Sequence, residues 1–170
     1  MTSEQLRALQ APLKEKYKQD PESAMITLEA SGKLGEGIAC QVNTWSGKSE
    51  AGLHWATGGS GLLACSGDML LQALVACAGV TLGAIAAALN IEITDGQLRA
   101  EGDLDFRGTL GVSKEAKVGF RSIRLYFMLK SNATPAQLES LQKLTERYCV
   151  VYQTLTNGAN VECIYKHENP

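Results

Sequence analysis

The spacing of apolar residues changes period several times along the chain. Leu6, Leu9, Leu13 and Tyr17 recur near helical spacing, and Thr2 and Gln5 have the form of a capping box. Pro12 interrupts the run and predicts a kink or a split into two short helices before Asp20-Pro21 closes it. From Met25 the period falls to two: Ile26, Leu28 and Ala30, then Ile38, Cys40 and Val42, alternate with polar neighbours, with turns at Gly32–Gly37 and at Gly47 and Gly52. A loop, Thr57–Gly61, leads into Met69–Leu89, which is apolar on every side and too long for a strand. Ser66 is its expected N-cap, and Asp68 suits the positive end of its dipole. Leu98 to Phe106 and Ile123 to Leu129 return to period two and predict a paired hairpin. Thr134-Pro135 starts a helix striped by Leu138, Leu141, Leu144 and Tyr148. Asn157-Gly158 is a turn, and Val161, Cys163 and Tyr165 predict a final strand.

The predicted order is therefore β-β-β-α-β-β-α-β, an α+β chain with a helical extension at residues 1–22 and a single domain at 23–170. The helix at 69–89 is long enough to span a bilayer, but it holds seven Ala and two Gly and no Lys or Arg cluster flanks it. It reads as a core helix of a soluble protein, with no membrane partner. A domain this small does not wrap such a helix alone, so the pattern predicts a homodimer with two central helices packed between sheets and a site near the interface.

The 170 residues carry 16 Lys+Arg against 18 Asp+Glu, a net charge of −2, which gives no basic surplus for nucleic acid. Two His exclude a His-rich metal site, and no cofactor is expected. The first twenty residues have no apolar run of signal-peptide length, so a cytoplasmic location is expected, where lasting structural disulfides are rare. The five cysteines, Cys40, Cys65, Cys77, Cys149 and Cys163, contain no CxxC and so offer neither a zinc ribbon nor a thioredoxin-type motif. Cys40 and Cys163 fall at inward strand positions and read as core. Cys77 in the central helix and Cys149 at the end of the second helix read either as small hydrophobic residues or as reagents.

The run Asp68-Met69-Leu70-Leu71-Gln72-Ala73-Leu74-Val75-Ala76-Cys77, with Arg147-Tyr148-Cys149-Val150-Val151 later, resembles the two cysteine signatures of the osmotically inducible protein C and organic hydroperoxide resistance family (OsmC/Ohr) over roughly residues 25–165. The resemblance implies an OsmC-like fold, an intertwined homodimer of sheets around paired helices, and a thiol peroxidase. Cys77 would be the peroxidatic cysteine and Cys149 the resolving one. The substrate would be an organic hydroperoxide, and the reductant a dithiol of the lipoyl kind. The alternative is a non-catalytic relative that senses redox state or binds a small molecule. Three departures bear on that choice. The family places an Arg from an early strand or loop beside the reactive thiol, held by a carboxylate near the start of the central helix. This chain has no Arg between Arg7 and Arg99, and it has Asp68 on the face of the helix opposite Cys77. It also has Val150 where the family usually has Pro. Burial raises a thiol pKa, so a cation is expected beside Cys77: Arg147 first, then Lys48, with Thr81 as a hydroxyl donor one turn along.

Overall fold

The computed structural model describes residues 1–167. Helix α1 runs unbroken from Ser3 to Gln19 behind a Thr2–Gln5 capping box, with Pro12 inside it, so the expected split at Pro12 does not occur. A single 3-10 turn, Pro21–Ala24, follows. The first sheet contains β1 (Gly32–Leu34), β2 (Ala39–Thr44), β3 (Gly47–Gly52) and β4 (Ala64–Cys65) in chain order. The first two pairings are antiparallel hairpins, and β4 joins β3 in parallel. The β2–β3 turn places Gly47 at a φ of 131°, a conformation that glycine adopts without strain. The alternating segment Ile26–Ala30 is not a strand: no neighbouring strand pairs with it, and Leu28 is 88 % exposed.

Helix α2 spans Ser66–Ala88. Ser66 is its first residue rather than its cap; Cys65 holds the cap position and its side chain makes no capping bond. Beyond α2, β5 (Ile93–Leu104) and β6 (Phe120–Ser131) form a long antiparallel ribbon, with a short helix α3 (Phe106–Thr109) in the loop between them. Helix α4 (Pro135–Tyr148) begins at a Thr134–Gln137 capping box, as the sequence predicts. Helix α5 (Val150–Asn157) follows after one residue and was not legible from periodicity. The expected final strand at Val161–Tyr165 is absent, because the segment runs exposed without a partner strand, and Cys163 is exposed with it rather than in a core.

Helix α2 packs against β5, α4, α5 and α1. Only one stripe of it, Leu74, Ala78, Leu82 and Ala86 at four-residue spacing, is fully buried. Leu82 and Ala86 join Ile91 and Leu141 in the core, with Leu98, Phe127 and Leu129 of the ribbon packed around them. The expectation of burial on every side is thus not met within one chain: Val80, on the face opposite Ala78, is 77 % exposed. Helix α2 is long and apolar enough to cross a bilayer by length and composition. The whole chain exposes 13283 Å², whereas a compact monomer of 18.2 kDa exposes about 8,000 Å².

Candidate functional site

The site forms where α2, α4 and α5 meet. Cys149 is at once the C-cap of α4 and the N-cap of α5. Its N–H donates to the Thr145 carbonyl at 2.9 Å, and its own carbonyl accepts from Gln153 N–H at 2.9 Å. Backbone torsions of φ −74° and ψ 107° turn the chain between the two helices. A 2.8 Å bond from Gln153 Nε2 to the Glu146 carbonyl ties α5 back across that corner. The corner aims the first turn of α5 at the middle of α2. In a helix N-terminus the leading amide groups have no partner within the helix, and here the cap side chain supplies none.

Those amides meet the two sulfurs. Cys77 is half-buried, and Cys149 is 1 % exposed. Burial pushes the Cys77 thiol up, but hydrogen bonds from Val151 N–H, the Cys149 thiol, Val150 N–H and the Thr81 hydroxyl outweigh it, so its pKa lies below the ordinary thiol value. Cys149 moves the other way. Burial pushes it up, and its hydrogen bond to Cys77 and the charge there add to this, while Tyr152 and Val151 N–H only partly counter them. The two environments thus pull in opposite directions, Cys77 down and Cys149 up.

Of the residues expected at the site, the structure brings Cys77, Cys149 and Thr81 together. Arg147 is exposed, its guanidinium 5.4 Å from the centre of the neighbouring Tyr148 ring, and none of the groups that act most on the Cys77 thiol is a cation. Lys48 is exposed on β3 opposite Asn43, in the hairpin that reaches the helices through β4. Asp68 lies in the first turn of α2 and lines a groove with Leu71, Gln72, Val75 and Arg99, on the side away from Cys77. The sequence reading missed the amides of Val150 and Val151. Asn157-Gly158, with Gly158 at a φ of 70°, marks the end of α5 and was the available signal for that helix.

A cavity of about 290 Å³ lies between α2, β6 and α5, walled by Leu74, Phe120, Ile123, Leu125 and Leu155, with Tyr152 close to the thiols and Arg121 and Ser122 at the ribbon side. Larger cavities flank Asp105, Arg107 and Arg121. They lie at the end of β5 that meets the first turn of α2, ten residues before Cys77 and about 15 Å away along the helix. No cluster of His, Cys, Asp and Glu among the described residues has the form of a metal site.

The family model described as OsmC-like protein matches residues 59–164, a span that includes both cysteines. No curated protein sequence matches the chain. Among solved structures, an OsmC like protein from Mycoplasma pneumoniae superposes with a TM-score of 0.66 at 16 % identity, covering 78 % of this chain and 89 % of that one. An organic hydroperoxide resistance protein from Elizabethkingia anophelis gives 0.61 at 17 % identity, with 79 % and 92 % covered. The organic hydroperoxide resistance protein OhrB of Bacillus subtilis gives 0.51 at 19 % identity, with 77 % and 92 % covered. At these identities the likeness is one of fold.

Proposed function

The chain belongs to the OsmC-like protein family, and from that premise we propose that it is a thiol peroxidase that reduces organic hydroperoxides with Cys77 and Cys149. The observation that carries this reading is the packing of α2, which holds Cys77, against the α4–α5 corner, which holds Cys149, so that each thiol lies in the other's surroundings. The Cys77 thiolate attacks the outer oxygen of ROOH; an S–O bond forms, the O–O bond breaks, and the alkoxide takes a proton and leaves as ROH. Cys149 then attacks the sulfenic sulfur; the disulfide forms, and hydroxide leaves with the Cys149 proton as water. A dithiol, of the lipoyl class in this reading, reduces the disulfide to two thiols and is itself oxidised to a cyclic disulfide. The Leu74, Ile123, Leu125 and Leu155 side of the neighbouring cavity favours an alkyl or lipid hydroperoxide over hydrogen peroxide.

The working molecule in this proposal is a cytoplasmic homodimer. The exposed area exceeds that of a compact monomer by about 5,000 Å² in each chain, more than the share per chain of the roughly 2,000–5,000 Å² that obligate dimers bury over both subunits. The bare face of α2 and the unpaired segments around Ile26–Leu28 and Val161–Tyr165 are the surfaces a second copy would cover. Lys48 belongs to this proposal only as a residue of the exposed hairpin, and Asp68 as the dipole partner of α2.

The test is dithiol-dependent consumption of tert-butyl hydroperoxide. Cys77→Ser abolishes turnover, and Cys149→Ser leaves one equivalent of peroxide consumed per chain with Cys77 trapped as a sulfenic acid. Full turnover by Cys77→Ser contradicts the assignment. A reduced Cys77 that peroxide does not touch supports instead the non-catalytic, ligand-binding reading.

A further inference from the structure

The cavity between α2, β6 and α5 is apolar along one side and ends at an arginine whose charge the fold leaves without a close partner. It holds about 290 Å³, near the lower limit for a small-molecule site, and runs from Tyr152 and Leu74, one turn before Cys77, along Leu125 and Ile123 to Ser122 and Arg121. We propose that Arg121 is a specificity-determining residue: its guanidinium binds the carboxylate of a fatty-acid hydroperoxide whose chain lies along Leu125 and Ile123 with the peroxide end toward the thiols. This rests on reading the chain as a peroxidase and names the residue that selects an acidic peroxide over a neutral one.

Three observations converge. First, the register of the ribbon slips at this point. Leu104 pairs with Phe120 and Asp103 with Ser122, so Arg121 is the extra residue of a β-bulge, with no partner on β5. A bulge re-aims its side chain, here out of the alternation that gives Ser122 and Arg124 to Asp103 and leaves Ile123 and Leu125 on the cavity. Second, the other arginines of the ribbon and its loop are occupied: Arg99 pairs with Glu101 at 2.8 Å, Arg124 with Asp103 at 2.9 Å, and Arg107 takes both oxygens of Asp105 at 3.0 and 2.6 Å. Arg121 comes no nearer to Asp105 than 4.0 Å, beyond hydrogen-bond distance, and its side chain is 68 % exposed. Its planar fork of donors is thus free for a carboxylate. Third, Arg121 is the one charged residue among the described residues that line this cavity, and it also lines both larger cavities, through which a charged head group stays in water while its chain is buried. From Arg121 to Leu125 the strand covers about 13 Å, a span that suits an extended chain rather than a compact alkyl group.

Octanoate and octanol, which carry no peroxide, are titrated into the full-length reduced protein by calorimetry, with circular dichroism as the check on folding. The parent binds octanoate more tightly than octanol. Arg121→Gln weakens octanoate binding about fivefold, the upper end for an exposed ion pair, and leaves octanol binding as it was; Arg121→Lys, which keeps the charge, loses less. Arg99→Gln, which removes a charge paired with Glu101, changes neither. In turnover, the ratio of kcat/KM for a hydroperoxy fatty acid over its methyl ester falls by the same factor in Arg121→Gln, a ratio that partial unfolding alone does not move. Equal octanoate affinity in the parent and Arg121→Gln overturns the proposal, as does an equal loss in Arg99→Gln. A parent that binds neither ligand, its cavity filled by a second copy of the chain, overturns it too. Should Arg121→Gln misfold, the parent's preference for octanoate decides: an ion pair at an exposed arginine weakens with added salt, and a preference that salt does not reduce refutes the assignment. Loss of octanoate in Arg121→Gln in a protein that consumes no peroxide refutes the peroxidase reading alone, and peroxide turnover with unchanged octanoate binding refutes this proposal alone.

Discussion

Cys77 and Cys149 are neighbours, yet their environments draw their pKa values apart: nearby backbone and side-chain donors lower one thiol, while burial and the adjacent Cys77 raise the other. That division of labour could not be read from residue types, because the Cys77 donors other than Thr81 and Cys149 are backbone amides. What could be read was the pair itself, through its resemblance to a known signature, and the placement of Asp68 on the face opposite Cys77, about two and a half turns earlier, by the arithmetic of the helix. On the ribbon, side-chain chemistry is more conventional. Arg107 side-chain hydrogen bonds hold the Asp105 carboxyl at about 2, outweighing burial, and the Arg107 amide and the charges of Arg107 and Arg121 help. Asp103 is held well down in the same way, by Arg124 first and then Ser122. A carboxyl depressed on folding contributes stability that is complete above its ordinary value of 3.8 and is lost as pH falls toward its folded value. Thermal unfolding followed from pH 5 to pH 2 therefore shows a steeper loss of Tm for the parent than for Asp105→Asn. Parallel curves contradict the assignment.

Elements were legible where a period was sustained and where caps marked the ends. Helices α1 and α4 meet both conditions, with capping boxes at their starts, while α2 and the β5–β6 ribbon were legible from period alone. Helix α5 has only Asn157-Gly158 at its end, since Val150, Val151, Thr154 and Thr156 are β-branched and weak helix formers, and an extended residue separates α5 from α4. Alternation at Ile26–Ala30 and Val161–Tyr165 predicts strands, but a strand exists only against a neighbour, and one chain offers none. The approach of α2 to the ribbon depends on missing side chains. The Phe120 ring sits over Gly102 of β5, where an added Cβ would collide with it, and over Gly67 in the first turn of α2, where an added Cβ would lie 3.4 Å from it. Gly102→Ala displaces the ring and destabilises the fold by about 1–3 kcal/mol, the usual range for overpacking, in chemical denaturation. An unchanged denaturation midpoint contradicts this packing.

As a whole molecule, the chain leaves too much apolar surface bare to be a finished structure. The central helix has one covered stripe, and the opposite face carries Val80 in the open. That a domain this small cannot enclose such a helix was legible in the sequence; which surfaces remain open became visible only with the fold. The proposed dimer sediments at twice the mass of the 18.2 kDa chain, and Val80→Glu, which places a charge on the bare face, shifts it toward the monomer. A parent protein that sediments as a monomer at all concentrations contradicts this. The peroxide chemistry depends on something more local, the reach of one sulfur to the other. Reduced protein is therefore treated with one equivalent of tert-butyl hydroperoxide, and its cysteine peptides are mapped by mass spectrometry. A Cys77–Cys149 disulfide is the predicted product, with Cys40, Cys65 and Cys163 still free. Oxidation of Cys77 that stops at sulfinic acid with Cys149 reduced, or a disulfide that bypasses Cys77, contradicts the mechanism.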